Sequence, residues 1–273
     1  MAIETRAAPL VLAALLAACA SSEVQKPVGR AGFLGAGLCP SDDGVEIRHV
    51  HHGSPAAKAG LKDGDVVTSY GGAALSQSEN RRRLLWDIRS GEKKLELDVK
   101  RGGRRLTVKA APAVRDVYPN EELYAALSDD IVSGRGVSVA VIVSEIGNAR
   151  PEFFDSAQAL EAWRQGMKAS LETNFESLLL DKNLLRCGNY SVADRDKTAQ
   201  VLKELNFQMT GAVSPETAKQ LGKLVGASDL LFVSFSRFQE GESSYLDQTS
   251  ARLVDVETDR VLASVQFKQK IRR

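Results

Sequence analysis

Three histidines, three cysteines and a scatter of carboxylates are the side chains in this sequence able to do metal, nucleophilic or acid–base chemistry. The histidines are bunched at His49, His51 and His52. On a strand, His49 and His51 share one face, the start of a metal site. No carboxylate or cysteine cluster at ligand spacing joins them, and Cys39 is distant, so they read as exposed strand-end histidines and no metal is expected. A Ser-His-Asp triad would have to take its base from that one strand end. Asp129-Asp130 sits in a polar context that suits capping or solvent better than paired acid–base work. No P-loop is present, and Gly35-Ala36-Gly37 lacks the helix a dinucleotide-binding turn needs. The expectation is a chain without catalytic residues, metal or cofactor.

The elements that position these residues belong to a globular protein of 273 residues, 43% hydrophobic and 26% charged. That length suggests about two domains, and the composition excludes collagen-like, wholly disordered and polytopic membrane classes. The net charge of +1 argues against a nucleic-acid binder. It conceals an asymmetry: Ala20–Tyr118 carries a surplus of +5 and Pro119–Arg273 a deficit of −4. The two halves can attract each other or attract different partners.

The first residues read as an address. Ala7–Ala18 is an apolar run of 12 residues after Arg6, too short to span a bilayer and suited to a secretory signal. It ends in Leu16-Ala17-Ala18-Cys19, followed by Ala20-Ser21-Ser22. This stretch resembles a bacterial lipoprotein signal, which implies cleavage before Cys19 and lipidation of its thiol. The absence of Asp after the cysteine implies the periplasmic face of the outer membrane. Residues 1–18 are then signal peptide and 19–31 a lipidated, polar tether. Cys39 and Cys187, in different domains, are expected to be unpaired and buried.

From Gly32, short strands alternate with sharp punctuation. Val45–Val50 alternates apolar and polar residues, and Ser54-Pro55 followed by Gly60 predicts a very short capped helix. Val66–Tyr70 is a strand, Ser76 with Glu79 is a capping box for a helix to about Arg89, and Gly102-Gly103 closes a hairpin of Leu95–Arg101 with Arg105–Ala110. This order, with GSPAAKAGLKDGDVV at its centre and VKRGGRRLTVKAAP at its end, resembles a PDZ domain of the circularly permuted bacterial type over residues 32–112. The resemblance implies a peptide C-terminus added as a strand beside the domain's second strand. Its carboxylate would sit in a loop of Phe33, Leu34, Gly35 and Ala36, against a helical wall of Arg81, Leu84, Leu85 and Ile88. Pro40 on the edge strand cannot donate to a ladder. Two readings stay open, a peptide groove and a fold used for protein docking.

Residues 113–136 read as a linker, signalled by Pro119-Asn120, with a short helix over Leu123–Val132. The second domain, 137–273, opens on Val137–Val143, an apolar strand covered on both faces. A helix from about Asp155 to Leu180 carries Leu160, Trp163, Met167, Leu171, Phe175 and Leu178 as one stripe. Strand Leu184–Tyr190, helices at 194–205 and 214–224, strand Leu230–Phe238 and a hairpin of Arg252–Val256 with Val261–Phe267 complete it. The run ADRDKTAQVLKELNFQMTGAVSPETAKQLGKLVGASDLLFVSFSRF, then LVDVETDRVL, resembles the curli-secretion-channel (CsgG-like) domain. Relatives of that domain occur in outer-membrane lipoprotein activators of penicillin-binding proteins. Arg195 and Glu204 are expected to form an ion pair. Glu240–Gln248 reads as short and polar, with little length for added membrane hairpins.

The fold class expected is α+β, a small PDZ barrel-like domain followed by an α/β sandwich. The function expected is a non-enzymatic, membrane-anchored periplasmic adaptor in envelope assembly or secretion. Its partner is an envelope protein or peptide C-terminus, with no nucleic acid and with homo-oligomer formation open. The alternative is an oligomeric structural subunit of an outer-membrane, curli-type secretion complex.

Overall fold

Short turns fix most of the first unit. The structure, a computed structural model, describes residues 27–147, 154–180, 187–204, 214–241 and 244–272. Strand β1 (Gly29–Phe33) pairs antiparallel with β8 (Ala113–Val117), so the unit's two ends form a ribbon. Between them lies a sheet ordered β2 (Gly37–Ser41), β3 (Gly44–Arg48), β4 (Val66–Tyr70), β6 (Leu95–Arg101) and β7 (Arg104–Ala110), with β5 (Ala73–Ala74) attached to β4. On β6, Leu95, Leu97 and Val99 face the core while Glu96, Asp98 and Lys100 face out, the two-residue period of a strand covered on one side.

Helix α1 (Pro55–Lys58) starts where Ser54 Oγ accepts from Ala57 N–H at 3.2 Å with Pro55 at the first position. Helix α2 (Ser78–Ser90) stops at Gly91, which is left-handed. Its N-cap is Gln77, with no side-chain bond, so the box expected of Ser76 and Glu79 is not formed. Asp65 is fully buried and held by both arms of Arg101 at 2.6 and 2.7 Å.

Residues 113–136 are not an unstructured linker. After β8 comes α3 (Pro119–Ser133), with Pro119 in its first turn and Glu121 reaching back to the Tyr118 N–H at 3.0 Å. The Pro119-Asn120 pair therefore starts a helix, the use of proline in a first turn, where its missing N–H costs nothing.

The second unit is a three-layer sandwich. Its sheet is ordered β10 (Tyr190–Val192), β9 (Val137–Gly147), β11 (Asp229–Gly241), β12 (Ser244–Asp255) and β13 (Val261–Arg272). β10, β9 and β11 run parallel, and β11, β12 and β13 antiparallel. One face packs on α3 and α4 (Ala157–Leu179) through Leu123, Leu127, Ile131, Met167, Leu171, Phe175 and Leu179. The other face packs on α5 (Arg195–Glu204) and α6 (Pro215–Val225) through Ala218, Leu221 and Val225. Alternate residues of β9 serve the two layers, Val139 and Val141 one, Ala140 and Ile142 the other. This is why the strand reads as continuously apolar.

Three further expectations change. The α4 stripe ends on buried Leu179, with Leu178 only partly buried. Arg195 lies 3.8 Å from Glu176 of α4, while Glu204 accepts from Gln200 on its own helix, so the Arg195–Glu204 pair is not formed. Of the polar stretch at 240–248, residues 240–241 end β11 and 244–248 begin β12, with Arg237 and Asp247 bonded across these paired strands at 2.6 and 2.7 Å. Beyond these, the strand expected over Leu184–Tyr190 has only its last residue in β10, after a turn at 187–189, and residues 184–186 lie outside the described residues, as does Cys19.

Candidate functional site

The loop between β1 and β2 is preformed. Leu34 O accepts from Ala56 N–H at 2.8 Å and Gly35 O from His51 N–H at 2.9 Å, so its carbonyls are turned into the fold. Gly35 has φ +78°, and an added Cβ would collide with the Ser54 side chain. Only glycine fits there. Among the described residues nothing accepts from the N–H groups of Leu34, Gly35 or Ala36, although Leu34 and Gly35 are buried. Three successive donors left over in a loop with a left-handed residue form a concavity for an anion. Phe33 stands beside them under the Arg115 guanidinium, 4.6 Å from its ring centre.

The helical wall is equally definite. Leu84, Leu85 and Ile88 of α2 are buried, as is Arg81 at 8% exposure. Arg81 donates to Leu75 O at 2.9 Å, Ser76 O at 3.0 Å and Ser133 O at 2.6 Å, while its Nε has no acceptor among the described residues. Burial pulls its pKa down, and every group it binds is a neutral carbonyl. β2, the opposite wall, is the outermost strand of its sheet.

Helix α3 covers the space between these walls. It packs against both α2 and β2, antiparallel to α2. Val132, 2% exposed, belongs to the first unit's core. Arg89 bonds Asp129 at 2.5 Å and Ala125 O at 2.6 Å, and Arg115 pairs with Glu121. The wall formed by Arg81, Leu84, Leu85 and Ile88 is thus buried, and α3, which sequence reading assigned to a linker, packs against α2 and β2, while Phe33 and Ala36 stay partly exposed.

Cys39 and Cys187 are joined by a disulfide, with Cα atoms 4.9 Å apart. The expectation of two unpaired thiols is corrected. Cys39 is buried on β2, and Cys187 lies half-buried at the start of the turn before β10. The bridge therefore fastens the groove's edge strand to the second unit. Cysteines 148 positions apart give no local signal of pairing.

A second charged constellation lies under α3. Arg135 contacts Asp130 at 2.7 Å, Asp229 at 3.1 Å and Asp255 at 2.7 Å. The three carboxylates are the one group of three metal-capable side chains among the described residues, and the guanidinium supplies the cation they need. Burial holds the Asp229 carboxyl above the usual carboxylate range despite Ser228 and Arg135. Burial also acts on Asp255, but bonds from the Thr258 N–H and hydroxyl, with Arg135 nearby, outweigh it and keep it low. His49, His51 and His52 are exposed, the first two with rings edge to face at 4.8 Å.

The family model described as PDZ domain matches residues 32–111, and a PDZ domain is present there. Serine protease Do-like HtrA of Bacillus subtilis is 35% identical over 82 residues, 30% of this chain and 17% of that protein. The chain spans about a fifth of the length of the curated relatives it matches. Among solved structures, the HtrA3 PDZ domain bound to a phage-derived ligand (FGRWV) is 24% identical, covering 33% of this chain and 91% of that one, with a TM-score of 0.29. The LpoB C-terminal domain from Salmonella enterica is 15% identical, covering 51% of this chain and 84% of that one, with a TM-score of 0.27. Scores this low decide nothing about either unit.

Proposed function

We propose that this chain is a non-enzymatic adaptor of the bacterial envelope, tethered by a lipidated Cys19 to the periplasmic face of the outer membrane. Its PDZ domain takes the free C-terminus of a partner protein, and its second unit, read as CsgG-like, docks another envelope component or further copies of the chain. The proteases it is similar to match it only along the PDZ segment, and peptide cleavage stays with them. The lipobox-like Leu16-Ala17-Ala18-Cys19 supports the tether.

One observation carries the peptide-binding reading, the three N–H groups of Leu34, Gly35 and Ala36 that no described residue accepts. A carboxylate is an anion of the right size for such a cluster, and hydrogen bonds to a charged acceptor contribute about 1.5–3 kcal/mol each. Immobilised pentapeptides with free C-termini, and the same set amidated, test the reading against the full chain with and without dithiothreitol. At least tenfold preference for the free acids is expected. Equal capture of acids and amides overturns it.

A further inference from the structure

The groove already has an occupant, and the occupant is bolted in place. Besides the chain itself at Tyr118, where β8 passes into α3, a second covalent link joins the two units, the Cys39–Cys187 disulfide. Helix α3 moves with the second unit, because Leu123, Leu127 and Ile131 are packed into that unit's core and Asn189 Nδ2 donates to Ile131 O at 2.9 Å. What α3 offers the PDZ unit is much smaller. Val132 is its one side chain in that unit's core, supported by the carbonyl of Ser133, the carbonyl of Ala125 and the carboxylate of Asp129. With both links intact the units cannot swing apart. With the disulfide cut, Tyr118 is left as a single hinge.

We infer that the Cys39–Cys187 disulfide is a redox latch that holds α3 in the PDZ groove, so that the groove accepts a peptide C-terminus only after the latch is reduced. This rests on the peptide-binding reading of the groove. The reductant is a dithiol. One of its thiolates attacks the Sγ of Cys187, the less buried residue of the pair, and the Cys39 thiolate leaves and takes up a proton. The second thiol of the reductant then displaces Cys187, which is protonated in turn. Two protein thiols are formed and one disulfide appears in the donor. Until then an incoming peptide competes with a tethered occupant at high effective concentration, and its apparent affinity falls by the fraction of grooves that stand open.

The test uses the full chain in detergent, oxidised, reduced with dithiothreitol, and as the Cys39→Ser/Cys187→Ser double variant. A fourth form adds Val132→Asp to that double variant and so removes the latch and the buried contact of α3 together. Free-acid pentapeptides are the probe, and amide exchange is followed by mass spectrometry in β2 (37–41), with β4 and β6 reporting that the PDZ fold is intact. Reduction, the double variant and the triple variant are each expected to raise β2 exchange and peptide binding at least tenfold over the oxidised protein. Equal binding by oxidised and reduced protein overturns the gate and leaves peptide binding standing. Unchanged β2 protection on reduction overturns the latch. No binding by any form, the triple variant included, overturns the peptide-binding reading and the gate with it.

Discussion

Replacing Arg135 with methionine removes the cation that touches all three carboxylates of a cluster in which Asp130, Asp229 and Asp255 place oxygens within 4.8 Å of one another, and leaves Arg82 4.0 Å from Asp130 alone. At an effective dielectric constant of about 20, each pair of bare charges at that distance repels by roughly 3.5 kcal/mol. The folded protein would not bear three such terms, because protonating one carboxyl at pH 7 costs about 4.4 kcal/mol from a starting pKa near 3.8. That route removes two of the three terms and brings the penalty down toward the roughly 3–5 kcal/mol measured when one partner of a buried ion pair is lost. We expect Arg135→Met to lose about 4 kcal/mol at pH 7, close to a 10 °C fall in melting temperature for a unit of this size. The pH dependence gives the signature. In the variant the folded-state pKa of a cluster carboxyl, already raised at Asp229 by burial, rises further above its unfolded value. The folded state then binds the extra proton, so the penalty is full above the folded pKa and fades as pH falls toward about 3.8. The gap to the native protein, read by urea unfolding, should shrink by roughly 1.4 kcal/mol per pH unit once that proton binds. The double variant Arg135→Met/Asp229→Asn should recover about half of the loss. A gap below about 1 kcal/mol at pH 7, or one that stays constant down to pH 5, refutes the assignment of Arg135 as the counter-ion of this cluster.

Two other substitutions probe one unit each. Asp65, buried and bidentate with Arg101, has its pKa held down: burial pushes it up, but the bonds from Arg101 and the Lys62 N–H outweigh that. Its contribution is therefore present above the unfolded value and lost as pH falls through the folded one, so Asp65→Asn should cost about 3 kcal/mol at pH 7 and flatten the acid limb of a thermal-stability profile. Gly222 of α6 meets the Val256 side chain where a Cβ would stand, and Ala227 O lies 3.1 Å from the same point. Gly222→Val should destabilise the second unit by about 1–3 kcal/mol in urea titrations, while the exchange of β4 and β6 in the PDZ unit stays as it was.

What the sequence made legible follows the range of the interaction. Ser54-Pro55, Gly91 and the Gly102-Gly103 turn are local devices, and the elements they punctuate stand close to where the pattern places them. The Phe33–Ala36 loop and α2 were readable as elements for the same reason, since each is a short contiguous stretch. Helix α3 was expected over Leu123–Val132 but begins four residues earlier, because Pro119 looked like a break and is a first-turn proline. Leu123, Leu127 and Ile131, at four-residue spacing, were the signal that the segment has a core to face. Arg135 and its carboxylates lie on one helix end and two distant strands, so no window of sequence contains them. The same holds for Cys39 and Cys187.

Those long-range links bear on how the domain can work. The chain-entropy account of a disulfide closing a loop of this length gives about 5 kcal/mol of stabilisation against the reduced unfolded chain. The noncovalent hold of α3 on the PDZ unit rests instead on one buried valine, two backbone carbonyls and partly exposed ion pairs of the kind that contribute under about 1 kcal/mol each. An interface that weak separates readily once its covalent link is cut, whereas the Leu123–Leu127–Ile131 face and the Arg135 cluster keep α3 on the second unit. The break therefore falls between α3 and the groove, where separation frees β2 and the face of α2 that carries Arg81 and Arg89.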